Sequence, residues 1–249
     1  MAFAPVYGAM LRTEDGVRID AGHIPGVSGE LGIVLAHGFT GSWRSVPTRR
    51  IAQVLARYGG VLAIDFRGHG RSTGESTVGD LEVLDLDAAV RFARAGYRRV
   101  VTVGFSMGAA VAVRQAALCG GVEAVAAVSG PARWYYRGTR PMRQVHWAIE
   151  HPAGRLAARL ARRTRIAAGR WDPIPLAPYQ AAALISPARL LVVHGDADAF
   201  FPLEHATQLY AAAAEPKELW VERGYGHAET AATPDLIHRI GDWLARTKP

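Results

Sequence analysis

Cysteine, lysine and long apolar runs are all scarce in this 249-residue sequence. The single cysteine, Cys119, excludes an intramolecular disulfide, and a reducing cytoplasm is the simplest address. No apolar stretch approaches the ~18 residues that a membrane-spanning helix needs. Residues 1–25 lack a basic start followed by an apolar core, so no signal peptide is expected. HExxH and paired CxxC spacings are absent, which removes the common metal-binding clusters. There is no GxxxxGK[ST], and Gly68-His69-Gly70 does not complete a GxGxxG, so a nucleotide-binding loop is rejected.

Lysine is confined to Lys217 and Lys248, so 27 of the 29 basic residues are arginine. The overall charge of +7 is unevenly spread. Residues 131–187 hold ten arginines against Glu150 and Asp172, a net +8; the remaining 19 basic and 20 acidic residues leave −1. The composition, 49% hydrophobic and 20% charged, fits a soluble globular chain.

Short apolar runs alternate with helical patterns, which predicts a mostly parallel sheet with helices on both faces. The start differs. Residues 10–13 and 17–21 flank Glu14-Asp15-Gly16, a hairpin signal, so the sheet is expected to begin antiparallel. Strands are expected at 33–36, 61–64, 100–103, 122–128, 190–193 and 218–221. Helices are expected through Ile51, Val54, Leu55 and Tyr58, and over 81–95, 106–119 and 234–244. Residues 131–187 break the rhythm with Trp134, Tyr135, Tyr136, Trp147, Trp171 and Tyr179 and several prolines. They read as a small helical cap inserted over one end of the sheet, inside a single domain of residues 1–249.

Gly104-Phe105-Ser106-Met107-Gly108 falls where an apolar run meets a helical pattern. A serine on so tight a strand-to-helix turn needs small neighbours, and the turn lifts its hydroxyl above the sheet. A hydroxyl is a poor nucleophile until a base takes its proton, and the base needs an acid to fix its tautomer. Asp196 and Asp198 follow the run 190–193, and His227 follows the last expected strand. The order Ser106, acid, His227 is that of a nucleophile-elbow triad.

Four blocks carry a family resemblance. They are His37-Gly38-Phe39-Thr40-Gly41, Asp65-Phe66-Arg67-Gly68-His69-Gly70-Arg71-Ser72, Gly104 to Gly108, and His194-Gly195-x-x-Asp198-x-x-x-Pro202. With Gly226-His227 completing it, the sequence resembles α/β-hydrolase-fold serine hydrolases of the esterase/lipase type over nearly its whole length. Each block ends an expected strand, where open α/β sheets place their ligands. The resemblance implies Asp198 as the acid, with Asp196 the runner-up, and N–H groups of Phe39 and Met107 as the oxyanion donors. It implies a carboxylesterase for small or medium acyl esters, acting through an acyl-serine without metal or cofactor. Thioester, monoacylglycerol and carbon–carbon bond hydrolysis would use the same parts, and a non-catalytic ligand binder could keep the fold. Haloalkane dehalogenases and epoxide hydrolases of this fold use an aspartate nucleophile, and position 106 is serine.

Trp134, Tyr135 and Tyr136 read as walls of an acyl pocket or as packing between insertion and sheet. His37, His194 and His69 read as braces of the loops beneath the site. His146 and His151 read as surface or pocket residues without a role, His23, His205 and His238 carry no signal, and Cys119 reads as buried and inert. Arg155, Arg159 and Arg162 share a helical face with Leu156 and Leu160 beside it. A solvated face is the plainer reading, and attraction of an anionic substrate, an acyl-carrier partner or an anionic membrane surface is the functional one. No nucleic-acid motif accompanies the charge.

Overall fold

The computed structural model describes residues 4–246; residues 1–3, at the start of the stretch read for a leader, and 247–249, which include Lys248, lie outside them. The strands are β1 (Tyr7–Arg12), β2 (Arg18–Ile24), β3 (Leu31–Ala36), β4 (Gly60–Ile64), β5 (Arg99–Phe105), β6 (Ala124–Val128), β7 (Arg189–Gly195) and β8 (Lys217–Glu222). The helices are α1 (Val46–Leu55), α2 (Glu82–Gly96), α3 (Met107–Leu118), α4 (Arg140–Glu150), α5 (Pro152–Arg162), α6 (Pro178–Ala182), α7 (Glu204–Ala212), α8 (Ala228–Ala231) and α9 (Pro234–Ala245).

One sheet runs in the order β1-β2-β4-β3-β5-β6-β7-β8. β1 and β2 form the expected hairpin, its loop closed by the Thr13 N–H donating to the Val17 carbonyl at 2.9 Å. β2 meets β4 antiparallel, and from β4 onward every pairing is parallel. Strand periodicity splits the core in two. Ile33 and Leu35 of β3 pack with α1 and α9, while Val34 and Ala36 pack with α2 and α3 on the opposite face. Strands β3 to β7 are buried along their whole length, as expected of near-continuous apolar runs covered on both faces. β8 closes the sheet as a half-exposed edge.

Two expectations change. Helix α7 was not foreseen: its buried residues are His205, Ala206 and Leu209, too few large apolar side chains to give a periodic signal. Cys119 is exposed, not buried, because it lies just past the end of α3, where burial has already given way at Leu118. Its thiol is still held protonated, pushed up to about 11 by partial burial and by Asp87.

Residues 131–187 leave the sheet after β6 and return at β7, carrying α4, α5 and α6. Helices α4 and α5 approach closely at Gly154, where a Cβ would lie 2.6 Å from the Trp147 carbonyl oxygen and 2.7 Å from Ala148 Cα. The segment is tied to the body by main-chain bonds: Ser76 N–H donates to Arg165 O at 2.7 Å, and Ala167 N–H to Ser76 O at 2.9 Å. The Trp171 indole N–H adds a bond to Thr77 O at 2.8 Å.

Candidate active site

Ser106 sits between β5 and α3 with φ 52° and ψ −115°, a backbone that L-residues rarely adopt and that costs of order 1–3 kcal/mol. Small neighbours make the turn buildable. A Cβ on Gly104 would run into the Gly108 carbonyl, and one on Gly108 would sit 2.5 Å from Ala36 O and 2.6 Å from His37 O. The Ser106 N–H is held by Val128 O at 2.9 Å.

Three loops at the carboxyl ends of the strands bring Ser106, His227 and Asp198 together. His227 Nε2 lies 3.0 Å from Ser106 Oγ, and His227 Nδ1 lies 2.8 Å from Asp198 Oδ2. An ionised carboxylate only accepts, so Nδ1–H donates to Asp198 and Nε2 is left to accept the serine proton. Oδ1 of Asp198 accepts from the N–H groups of Phe200 at 2.8 Å and Phe201 at 3.1 Å. Burial alone would raise the Asp198 pKa. The bonds from His227, Phe201 and Phe200 outweigh burial and hold it below the ordinary carboxylate range. Asp196 is exposed and accepts the Gly224 N–H at 2.6 Å, which fixes the turn after β8; it takes no part in the chain of contacts to Ser106.

Around the same cavity as Ser106, the backbone N–H groups of Phe39 and Met107 have no partner among the described residues. Met107 opens α3, where first-turn N–H groups lack helical acceptors, and the helix dipole favours negative charge there. The loop around Phe39 is braced by histidines, as read from the sequence. His37 is fully buried; its Nε2 accepts from Phe66 N–H at 3.2 Å, so its Nδ1–H donates to Gly38 O at 2.7 Å. His69 Nε2 accepts from Thr40 N–H at 3.2 Å while Nδ1–H donates to Arg67 O at 2.9 Å. Burial pushes both imidazoles down to about 4, which keeps them neutral and able to accept. His194 likewise bonds Phe201 O at 2.9 Å beneath the acid loop.

Ser106, His227, Phe39 and Met107 all line a cavity of about 750 Å³. Its far wall comes from α4 and α5, through Met142, Val145, Ala148, Ala157 and Ala158. Of the three aromatics read as pocket walls, the structure brings Trp134 alone to the cavity. Tyr135 is half-exposed against Trp171, and Tyr136 packs edge-on against His205 at 4.6 Å, under the acid loop. Tyr136 thus packs the insertion against α7 and the loop before it, not against the sheet as the packing alternative had it. His146 bonds Glu150 and Tyr136 O, and His151 caps α5 while stacking on Trp147.

Sequence reasoning missed three residues here. His205 is buried, with Nδ1 accepting the Ala132 N–H at 3.0 Å. Phe200 stacks on His227, and Glu229 lines the cavity and accepts the Gly38 N–H at 2.6 Å. Glu229 stands two residues from His227, but its partner lies 191 positions away, so no local signal could reveal it. Among the described residues there is no group of three or more His, Cys, Asp or Glu side chains able to hold a metal, and no helix long and apolar enough to cross a membrane.

The described geometry has parallels among known proteins. No curated protein matches the chain significantly in sequence. Esterase Pf2001 of Pyrococcus furiosus superposes with a TM-score of 0.77 at 25% identity, over 97% of this chain and 92% of that one. The esterase domain of a Rhodothermus marinus protein gives 0.68 at 22% identity, over 97% and 96%. Est1E of Butyrivibrio proteoclasticus, solved with ferulic acid bound, gives 0.68 at 18% identity, over 94% and 97%. These last two identities speak for the fold alone. The model of the alpha/beta hydrolase family matches residues 33–239, a span that opens in β3 and closes in α9. That match takes in Phe39, Ser106, Asp198 and His227, and the chain belongs to the alpha/beta hydrolase family.

Proposed function

We propose that this protein is a serine hydrolase, a carboxylesterase that cleaves small or medium acyl esters through an acyl-serine intermediate. The observation that carries the reading is the continuous hydrogen-bonded chain from Ser106 Oγ through His227 to Asp198, 3.0 and 2.8 Å long in its two links, at the floor of an apolar cavity. The likeness to an esterase at 25% identity supports the same class.

In this mechanism Ser106 Oγ attacks the ester carbonyl as His227 Nε2 takes its proton. Asp198 stabilises the imidazolium through Nδ1. The carbonyl oxygen becomes an oxyanion that accepts from the N–H groups of Phe39 and Met107, donors that strengthen as charge develops. His227 then protonates the departing alcohol, and water repeats the sequence on the acyl-serine. No cofactor or metal enters. Residues 131–187 act as a cap within a single domain, and α4 and α5 bound the acyl chain. On the cap, Arg140, Arg159, Arg162 and Arg163 have no acidic partner among the described residues, which supports attraction of an anionic substrate, acyl carrier or membrane surface. The low cysteine content supports a cytoplasmic setting.

The test is a series of initial rates on p-nitrophenyl esters of increasing chain length, with Ser106→Ala as control. Turnover that vanishes in Ser106→Ala, with an optimum at short or medium chains, is the expected result. Near-normal turnover in purified Ser106→Ala overturns the mechanism, and a folded wild type inert on every ester overturns the esterase assignment.

A further inference from the structure

Among the described residues that line the cavity over Ser106, one carries an acidic side chain: Glu229 on α8. Burial raises its pKa, and no cation pairs with it; its long-range partner is the main-chain N–H of Gly38, which donates to Oε1 at 2.6 Å. A part-buried carboxyl held by backbone N–H groups, with no cation beside it and next to the reacting serine, calls for a reason.

Gly38 supplies that reason. A Cβ at this position would lie 3.2 Å from Ser106 Cβ and 3.3 Å from Glu229 Oε2, so close packing against Ser106 favours glycine. Glycine is also the residue least able to hold its own backbone direction. Yet Gly38 immediately precedes Phe39, whose N–H must point at the developing oxyanion. Other bonds fix the surroundings. The Gly38 carbonyl is held from behind by Gly41 N–H at 2.9 Å and His37 Nδ1–H at 2.7 Å, and Thr40 N–H is held by His69 at 3.2 Å. In a trans peptide the N–H points opposite its carbonyl, so tying back Gly38 O turns Phe39 N–H the other way. What these bonds leave unrestrained is rotation about Gly38 itself, and Glu229 holds the N–H on that side.

We propose that Glu229 is a positioning residue for the oxyanion donor: by accepting the Gly38 N–H it locks the glycine next to Ser106 and so aims the Phe39 N–H. This rests on the serine-hydrolase reading above. The side chain acts through Gly38. It needs an acceptor oxygen at that reach, not a negative charge. Because the oxyanion exists only in the transition state, a misdirected donor lowers kcat and leaves KM nearly unchanged.

Wild type, Glu229→Ala, Glu229→Met and Glu229→Gln are compared in two assays, with Ser106→Ala as blank. One is p-nitrophenyl butyrate turnover and the other is the rate of labelling by a fluorophosphonate, which needs no leaving alcohol. Losing an oxyanion donor outright costs about 10²–10³ in kcat, so misaiming one is expected to cost about tenfold or more. Glu229→Ala and Glu229→Met should show that loss in both assays with KM within about threefold. Glu229→Gln, whose amide oxygen keeps the acceptor, should recover most of it. The Met variant retains side-chain bulk and carries the test should the Ala variant fail to fold. Wild-type kcat in Glu229→Ala overturns the inference, as does a loss confined to KM, or a Gln variant as impaired as Ala. A wild type with neither Ser106-dependent turnover nor labelling overturns the hydrolase reading, and this inference with it.

Discussion

The Phe200 ring lies nearly flat against the His227 imidazole, with centroids 4.2 Å apart and planes 22° apart. The same residue donates its N–H to Asp198 Oδ1 at 2.8 Å. One loop residue therefore holds both His227 and Asp198, the first by its ring and the second by its backbone. Phe200→Ala separates the two duties, because the N–H survives and the stacking does not. Ring stacking is worth about 0.5–1.5 kcal/mol. The expected result is a fall in kcat of about threefold to tenfold, with Phe200→Tyr close to wild type. Steady-state rates with both variants check it, and an unchanged kcat in Phe200→Ala would assign the positioning of His227 to Asp198 alone.

Two carboxylates follow β7, and the geometry assigns them different work. Asp198 accepts from His227 and two backbone N–H groups, while Asp196 accepts from Gly224 N–H alone. Asp198→Asn puts an amide that also donates opposite Nδ1, which favours the wrong imidazole tautomer. A loss of roughly 10²–10⁴ in kcat is expected. Asp196→Asn keeps a carbonyl oxygen for the Gly224 N–H, and its activity should stay within about twofold of wild type. Parallel kinetics on the two variants decide between them.

Much of this arrangement was legible from the residues. The glycines of the 104–108 turn, the strand runs and the placing of Asp196, Asp198 and His227 after strands each reflect a local constraint: a turn that excludes side chains, a buried strand, a loop after a strand. The preference for Asp198 over Asp196 rests on the family resemblance. The illegible parts depend on long-range registration. Glu229 has meaning only where α8 meets the loop of Gly38. Trp134, Tyr135 and Tyr136 read alike from the sequence, yet Tyr135 has φ 59° and the two tyrosine rings diverge, one to the surface and one under the loop of Asp198, which leaves Trp134 at the cavity. Burial of His205 follows from how α7 meets the segment at Ala132, which no local pattern encodes.

Acid should weaken the fold through its neutral histidines. Burial pushes His37, His69 and His205 down to about 4, with His37 adding to the effect at His69 and Arg133 at His205. In the unfolded chain a histidine titrates near ~6.5. Between these values the unfolded chain binds more protons, so this stability is present above ~6.5 and is lost as pH falls toward 4. The slope approaches about 1.4 kcal/mol per pH unit for each histidine once the pH is well below ~6.5. Urea unfolding at pH 7.5, 6 and 5 reads this directly. A midpoint constant over that range would mean the histidines accept protons within the native fold.

Glycine positions supply the sharpest contrast in stability. A methyl group on Gly108 would meet the carbonyl oxygens of Ala36 and His37 at 2.5 and 2.6 Å, both of them backbone atoms of β3 and the loop that follows. These atoms cannot swing aside as a side chain would. Overpacking of this kind costs about 1–3 kcal/mol and occasionally more, and a contact with fixed backbone belongs at the upper end. Gly96, the last residue of α2, has nothing within 4 Å of the same methyl and no positive φ. Alanine there gains helix propensity of about 1 kcal/mol. With roughly 2–4 °C per kcal/mol for a chain of this size, Gly108→Ala should lower Tm by about 6–10 °C, and Gly96→Ala should raise it by about 2–4 °C. Calorimetry on the two variants tests this directly, and a Gly108→Ala protein melting with the wild type would mean that α3 can draw back from β3 without loss.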